Sequence, residues 1–207
     1  MGLYTTIDDA FNNGSELHLR GEFIFNDTYI LTSGRKLVAQ DGALLKYPSG
    51  KTLEIAGGAT LEADNATFTS ISGIWTGIVY RTSGNGYINE CNISNATREI
   101  LDNSGTSDLV FTGNTITNST NGIYCGYSGN PEIRNNTLSN ISNYAIYCSG
   151  SDTSMVIADN TISNSTYGLY CYNANPQISS NKLTNSKVYF NNSNSELTNN
   201  LITVSGG

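Results

Sequence analysis

A short motif recurs along this chain with nearly constant spacing. Cys91-Asn92-Ile93-Ser94, Asn114-Thr115-Ile116-Thr117, Asn136-Thr137-Leu138-Ser139, Asn160-Thr161-Ile162-Ser163, Asn181-Lys182-Leu183-Thr184 and Asn200-Leu201-Ile202-Thr203 align. Their aliphatic residues are separated by 23, 22, 24, 21 and 19 positions, and Phe68 fits one step earlier with a gap of 25. Two further series keep step: Ile78, Ile100, Ile123, Ile146, Leu169 and Val188, and Ile88, Phe111, Ile133, Ile157, Ile178 and Leu197. Each repeat thus holds three short segments that alternate apolar and polar residues with period two, the pattern of half-buried strands. One such unit cannot bury its apolar face alone, whereas stacked units share a core.

The expected fold is all-β, a right-handed parallel β-helix of three sheets and about 7–8 coils. Composition agrees. Asn, Ser, Thr and Gly fill 96 of 207 positions, which starves the helix formers that a bundle or coiled coil needs. Leu37, Ala43 and Leu45 return as Leu53, Ala59 and Leu61, a 16-residue spacing expected to mark narrower entry coils. Thr6 to Gly14 reads as a short capping helix, with Thr6 as N-cap, Asp9 near the positive end and Gly14 as stop. The expected division is a cap over 1–35, the β-helix over 36–204 and a tail over 205–207.

Asn has a structural task in such a stack. Asn114, Asn136, Asn160, Asn181 and Asn200 stand two residues before the aliphatic position, and Cys91 takes the same place one coil earlier. Stacked amides can donate to one neighbouring coil and accept from the other, so this column is expected to be a ladder. Asn95, Asn118, Asn140, Asn164 and Asn185, two residues after the aliphatic position, form a second column with the same option.

The net charge of −7 argues against nucleic acid, which needs a basic stripe. No apolar run reaches the ~20 residues of a membrane span. The start, Met1-Gly2-Leu3-Tyr4, lacks the charged and apolar regions of a signal peptide, although it fits the loose myristoylation pattern. The chain reads as a segment of a longer secreted protein. Leu201 to Val204 leaves a strand edge open, where further coils or an end-to-end partner could stack.

The repeated Asn-Thr-Ile…Gly-Ile-Tyr pattern, with Trp75-Thr76-Gly77-Ile78, resembles the parallel β-helix repeats of the pectate-lyase-like superfamily. The Asn-rich versions on archaeal and bacterial cell surfaces are the most similar. The resemblance covers roughly residues 36–204. It implies an extracellular or cell-surface setting and admits lyases, hydrolases, adhesins, tail spikes and inert spacers, because fold alone does not fix function.

Hydrolases of this superfamily cluster Asp on adjacent coils. Here Asn65, Glu90, Gly113, Asn135, Asp159, Ser180 and Asn199 share a column, so Glu90 and Asp159 lie three coils, about 14 Å, apart. Glu132, Arg134 and Asp159 are the nearest approach to a charged site and are expected to be a surface ion pair rather than a catalytic group. His18, the sole histidine, has no evident partner. No metal or cofactor is indicated, calcium included. Cys125, Cys148 and Cys171, spaced by 23, stack on one inward column and are expected to be core thiols; one disulfide or a metal remains open.

Tyr124, Tyr147, Tyr170 and Tyr189 alternate with the buried aliphatic column and should point outward, with Tyr144 and Tyr167 on the same face. Such a strip can stack on sugar rings or meet a partner, while strand propensity alone also favours Tyr there. A second face carries Thr67/Thr69, Thr115/Thr117, Thr137/Ser139 and Thr161/Ser163, an array similar to the ice-binding faces of β-helical antifreeze proteins but interrupted by Asn92, Lys182 and Leu201. Ten Asn-x-Ser/Thr sequons occur, at Asn13, Asn26, Asn65, Asn92, Asn95, Asn118, Asn135, Asn140, Asn164 and Asn191. Those of the second Asn column are lost as acceptors if that column turns inward, which favours Asn13, Asn26, Asn65 and Asn191.

The leading expectation is a non-catalytic surface module, structural or adhesive, that contacts polysaccharide or neighbouring subunits through its Tyr and Thr/Ser columns. A polysaccharide lyase or hydrolase, a self-assembling filament, sheath or surface-layer subunit, and an ice-binding protein are the alternatives.

Overall fold

A computed structural model describes residues 11, 14–102, 109–126, 131–150 and 155–203, apart from the side chains of residues 99, 101 and 102. The chain winds as a parallel solenoid with three strands in each coil. Among the described residues the first face stacks nine strands, from Glu16–Leu19 to Leu197–Thr198. The second runs from Glu22–Ile24 through Thr67–Ser70 and Thr115–Ser119 to Leu201–Thr203, and the third from Tyr29–Leu31 through Asn121–Cys125 to Lys182–Asn191. The long strand Thr161–Tyr172 joins the second and third faces, so they hydrogen-bond as one continuous sheet.

The three apolar series are the three inward columns. Ile93, Ile116, Leu138, Ile162 and Leu183 pair in register and are fully buried, as are Ile88, Phe111, Ile133, Ile157 and Ile178. Together with Ile78 to Leu169 they form one core running the length of the solenoid. Alternation along each short strand is what turns these side chains inward.

The N-terminal part corrects two expectations. Leu37 pairs with Leu61, and Lys36 with Thr60, so the coil there is 24 residues long and not 16. The 16-residue echo links strands on different faces, Leu37 to Leu53 within one coil and Leu45 to Leu61 across to the next, because successive strands are spaced by about eight residues. The solenoid also begins earlier, since Glu16–Leu19 already pairs in parallel with Lys36–Ala39. A full coil therefore lies inside the segment expected as a cap. Of the helix expected over Thr6–Gly14, only Phe11 and Gly14 fall among the described residues. Phe11 is helical and buried against the core, with the Arg35 guanidinium 4.9 Å from its ring centre.

Two rows of left-handed residues bend the chain around the second face. The row before it is Asn65, Glu90, Gly113, Asn135, Asp159, Ser180 and Asn199, with φ between 49° and 70°. The row after it is Asn95, Asn118, Asn140, Asn164 and Asn185, with φ between 50° and 64°. Asn tolerates this conformation better than other residues with a side chain, and Gly tolerates it freely. The second Asn column is therefore an outer turn and not an inward ladder: Asn118, Asn140, Asn164 and Asn185 are exposed.

The first Asn column forms the ladder. Asn136 Nδ2 donates to Phe111 O at 2.8 Å and to Asn160 Oδ1 at 3.0 Å, while its Oδ1 accepts from Asn114 N at 2.9 Å and Asn114 Nδ2 at 3.0 Å. Asn160, Asn181 and Asn200 repeat the pattern, and Asn114, Asn136, Asn160 and Asn181 are buried. One amide thus satisfies a backbone C=O and a backbone N–H of the preceding coil and links to the next coil through its side chain, at a corner where strand pairing lapses. Cys91 starts the column, its N–H donating to Asn114 Oδ1 at 2.9 Å.

Candidate functional site

The residues best placed for outward contact lie on the third face. Tyr124, Tyr147, Tyr170 and Tyr189 occupy one register column, and Tyr144 pairs with Tyr167 beside it. Strict alternation would place Tyr144 and Tyr147, three residues apart, on opposite faces. They share one face because Ala145 and Ile146 are both buried between them, as are Gly168 and Leu169 between Tyr167 and Tyr170. The first inward position must be small. A Cβ on Gly122 would lie 2.4 Å from Ala145 O, and one on Gly168 would lie 2.7 Å from Leu183 Cδ2.

The six rings form a two-column herringbone. Tyr124 stacks on Tyr147 at 4.2 Å and 9°, Tyr147 on Tyr170 at 5.4 Å and 17°, and Tyr170 on Tyr189 at 4.8 Å and 27°. Tyr144 and Tyr167 meet this column at steeper angles; Tyr167 packs edge-on to Tyr170 at 5.3 Å and 89°. Stacking along the solenoid axis turns ring faces toward neighbouring rings. The strip therefore offers phenol edges and hydroxyls to solvent more than flat ring faces. Two cations the sequence reading missed close its ends: Arg98 lies 5.1 Å from the Tyr124 ring centre, and Lys187 Nζ lies 5.9 Å from that of Tyr167. Register was the available signal for Lys187, which takes the position of Tyr167 one coil later. Desolvation raises the Tyr147 phenol above its ordinary pKa, and the adjoining Tyr124 hydroxyl adds to the shift. Tyr170 moves the same way, from desolvation first and neighbouring phenols next, so both stay neutral through physiological pH.

The charged trio lies on the first face. Arg134 Nε donates to Glu132 Oε1, and its Nη1 lies 3.8 Å from Asp159 Oδ2. Both carboxylates thus share one guanidinium, and all three side chains are between a third and a half exposed. Asp159 and Glu90 owe their places to the left-handed row. His18, expected to lack a partner, has Nε2 2.8 Å from Glu16 Oε1 and Nδ1 3.3 Å from Gln40 Nε2. A polar surface depression near the last coils is lined by Asn175, Gln177, Asn194, Ser195 and Thr198, with Glu196 as its one titratable side chain.

Cys91, Cys125, Cys148 and Cys171 are buried and none is bridged in a disulfide. Among the described residues no three His, Cys, Asp or Glu side chains gather as metal ligands would. Burial pushes the Cys91 thiol up to about 12. Contact with Cys171, then burial, raises Cys148 well above the usual thiol range.

The Thr/Ser columns of the second face also point outward. Thr115, Thr137 and Thr161 are exposed and in register, between Asn92 and Lys182. At the last described coil Leu197, Leu201 and Ile202 are exposed. Among the described residues no helix is long and apolar enough to cross a membrane.

Comparison with known proteins fits this architecture. Among solved structures, the crystal structure of Dettilon tailspike protein (gp208) is similar at 13% identity with a TM-score of 0.40. The match covers 87% of this chain and 46% of that one, so this chain spans about half the tailspike's length. No curated protein sequence matches. Residues 51–203 match the model of the right handed beta helix region, and the chain belongs to that family.

Proposed function

We propose that this chain is a non-catalytic module of an extracellular or cell-surface protein that holds a polysaccharide chain along its Tyr strip. The observation that carries this reading is the six-tyrosine herringbone, repeated coil by coil on an outer face. Its phenols repeat at about the strand spacing of 4.8 Å, comparable to the length of one pyranose unit in an extended glycan. A hydroxyl-rich polymer lying along the axis would meet one phenol per sugar. Because the ring faces are taken up by neighbouring rings, recognition runs through hydroxyls rather than stacking. The shared guanidinium of Glu132 and Asp159 favours binding without cleavage: a glycosidase pair needs one carboxyl held protonated and the other free to act across the scissile bond.

Native electrophoresis in gels containing plant, algal, bacterial and archaeal polysaccharides tests the reading, with a reducing-end assay on each polymer. At least one polymer should retard the protein without being cut. The double variant Tyr147→Phe/Tyr170→Phe keeps the stack and removes two hydroxyls, and it should lose the retardation as fully as the corresponding Ala pair. Retention of binding in the Phe pair would assign contact to the rings. No retardation by any polymer would end the proposal, and new reducing ends would make the chain an enzyme.

A further inference from the structure

The outer turn after the second face carries a motif that polysaccharide binding does not use. Asn95, Asn118, Asn140 and Asn164 each begin an Asn-x-Ser/Thr sequon, completed by Thr97, Thr120, Ser142 and Thr166. All four are left-handed, and Asn118, Asn140 and Asn164 are exposed. Asn95 is half-buried and spends its Nδ2 on Thr69 Oγ1 and Ser94 Oγ, which sets it apart.

The backbone alone does not demand this motif. In the other left-handed row the same conformation is held by Asn, Glu, Gly, Asp and Ser. Here every position is Asn. Nor is the hydroxyl two residues on indispensable to the turn: Thr166 Oγ1 donates to Ser142 O at 2.9 Å, but after Asn185 the chain carries Lys187 there and still pairs with the preceding coil, across a shift of register. Within the row, Asn185 Nδ2 donates to Asn164 Oδ1 at 3.3 Å. That contact engages the Asn164 oxygen and not its nitrogen.

We propose that Asn118, Asn140 and Asn164 form a row of N-linked glycan acceptors. The donor class is a lipid diphosphate-linked oligosaccharide, used with its transferase. The Asn Nδ2 attacks the anomeric carbon, a C–N bond forms as the C–O bond to the diphosphate breaks, the diphosphate leaves on its lipid, and one amide proton passes to solvent. No redox change is involved. Successive acceptors sit about 4.8 Å apart, so a glycan on one coil covers the next. Occupancy is therefore Asn118 with Asn164, or Asn140 alone. Sugars on this turn would stand between the Thr/Ser columns of the second face and the Tyr strip of the third. The inference stands independently of what that strip binds.

The test is secretion of the full chain from yeast behind a cleavable leader. Enzymatic release of N-glycans in heavy-oxygen water then marks each formerly occupied Asn for peptide mass mapping. The soluble, folded fraction should carry marks at Asn118 and Asn164, or at Asn140. The triple variant Thr120→Ala/Ser142→Ala/Thr166→Ala keeps the left-handed Asn residues. It should lose one or two glycan masses while retaining the β-sheet circular dichroism and any glycan at Asn26, Asn65 or Asn191. Marks confined to those other sequons, marks on the row only in aggregated protein, or an unmodified chain would each overturn the proposal.

Discussion

Exchanging one atom in the buried ladder, by Asn136→Asp, gives a stability defect with a pH signature. Asn136 Oδ1 accepts two bonds from Asn114, and a carboxylate would still accept them. Its Nδ2, however, faces two oxygens, Phe111 O at 2.8 Å and Asn160 Oδ1 at 3.0 Å. A protonated acid can donate to one of them, so at low pH the variant loses about one hydrogen bond, about 1 kcal/mol. An ionised acid donates to neither and sits in a site 1% exposed. Burial of this degree raises a carboxyl by up to about 3–5 pKa units, or about 4–7 kcal/mol. Asn114's donors pull toward the lower end of that range. The sign follows from linkage. The folded pKa lies above the unfolded value near 4, so the folded state holds the proton more tightly and stability falls as pH rises through that interval. Thermal melts followed by circular dichroism, variant against wild type from pH 3.5 to 8, read this directly. The deficit should be small at pH 3.5 and grow to several kcal/mol, a shift on the order of 10 °C, by pH 8. A deficit independent of pH, or under ~0.5 kcal/mol at pH 8, would refute the ladder reasoning.

Cys91 marks a gap in the same ladder, since its sulfur receives the Ala66 N–H at 3.4 Å. Cys91→Asn should extend the column and raise the melting temperature by about 2–4 °C, equivalent to ~1 kcal/mol. It should also reduce the loss of stability between pH 9 and 12, because a thiol raised to about 12 stabilises the fold below its unfolded pKa and ceases to do so as pH climbs. An unchanged alkaline melt would count against that cause. Tyr47 is buried between Phe25 and Trp75, and among the described residues its hydroxyl has no partner, so Tyr47→Phe should raise the melting temperature by ~2–4 °C, and a fall would show that the hydroxyl is satisfied. Gly86 has φ +135°, and a Cβ there would lie 1.8 Å from Leu61 O, so Gly86→Ala should cost at least ~3 kcal/mol; a melt within 2 °C of wild type would contradict it.

The solenoid was legible because alternation and register are properties of residue spacing. Three apolar series kept in step specify three faces, and the Asn114 to Asn200 column follows from the same count. The 16-residue echo misled because strands on neighbouring faces of one coil carry the same pattern as strands on successive coils; spacing alone does not say which face a strand occupies. The left-handed row before the second face was visible only as an odd mixture of Asn, Glu, Gly, Asp and Ser at one column, the signature of a backbone requirement rather than of chemistry. Ring orientation in the Tyr strip was beyond reach, because alternation decides which way a side chain leaves the sheet and not how its ring turns. Glu16 and Gln40 reach His18 across adjacent positions of the first face, contacts that no motif announces.

Binding along the Tyr strip without cleavage is tested most directly by affinity electrophoresis of wild type and Tyr147→Phe/Tyr170→Phe across the polysaccharide panel, with reducing ends measured in parallel. The account predicts retardation of the wild type by at least one polymer, loss of retardation in the double variant, and no new reducing ends. Equal mobility of the two proteins in every gel, or release of reducing ends by the wild type, would contradict it.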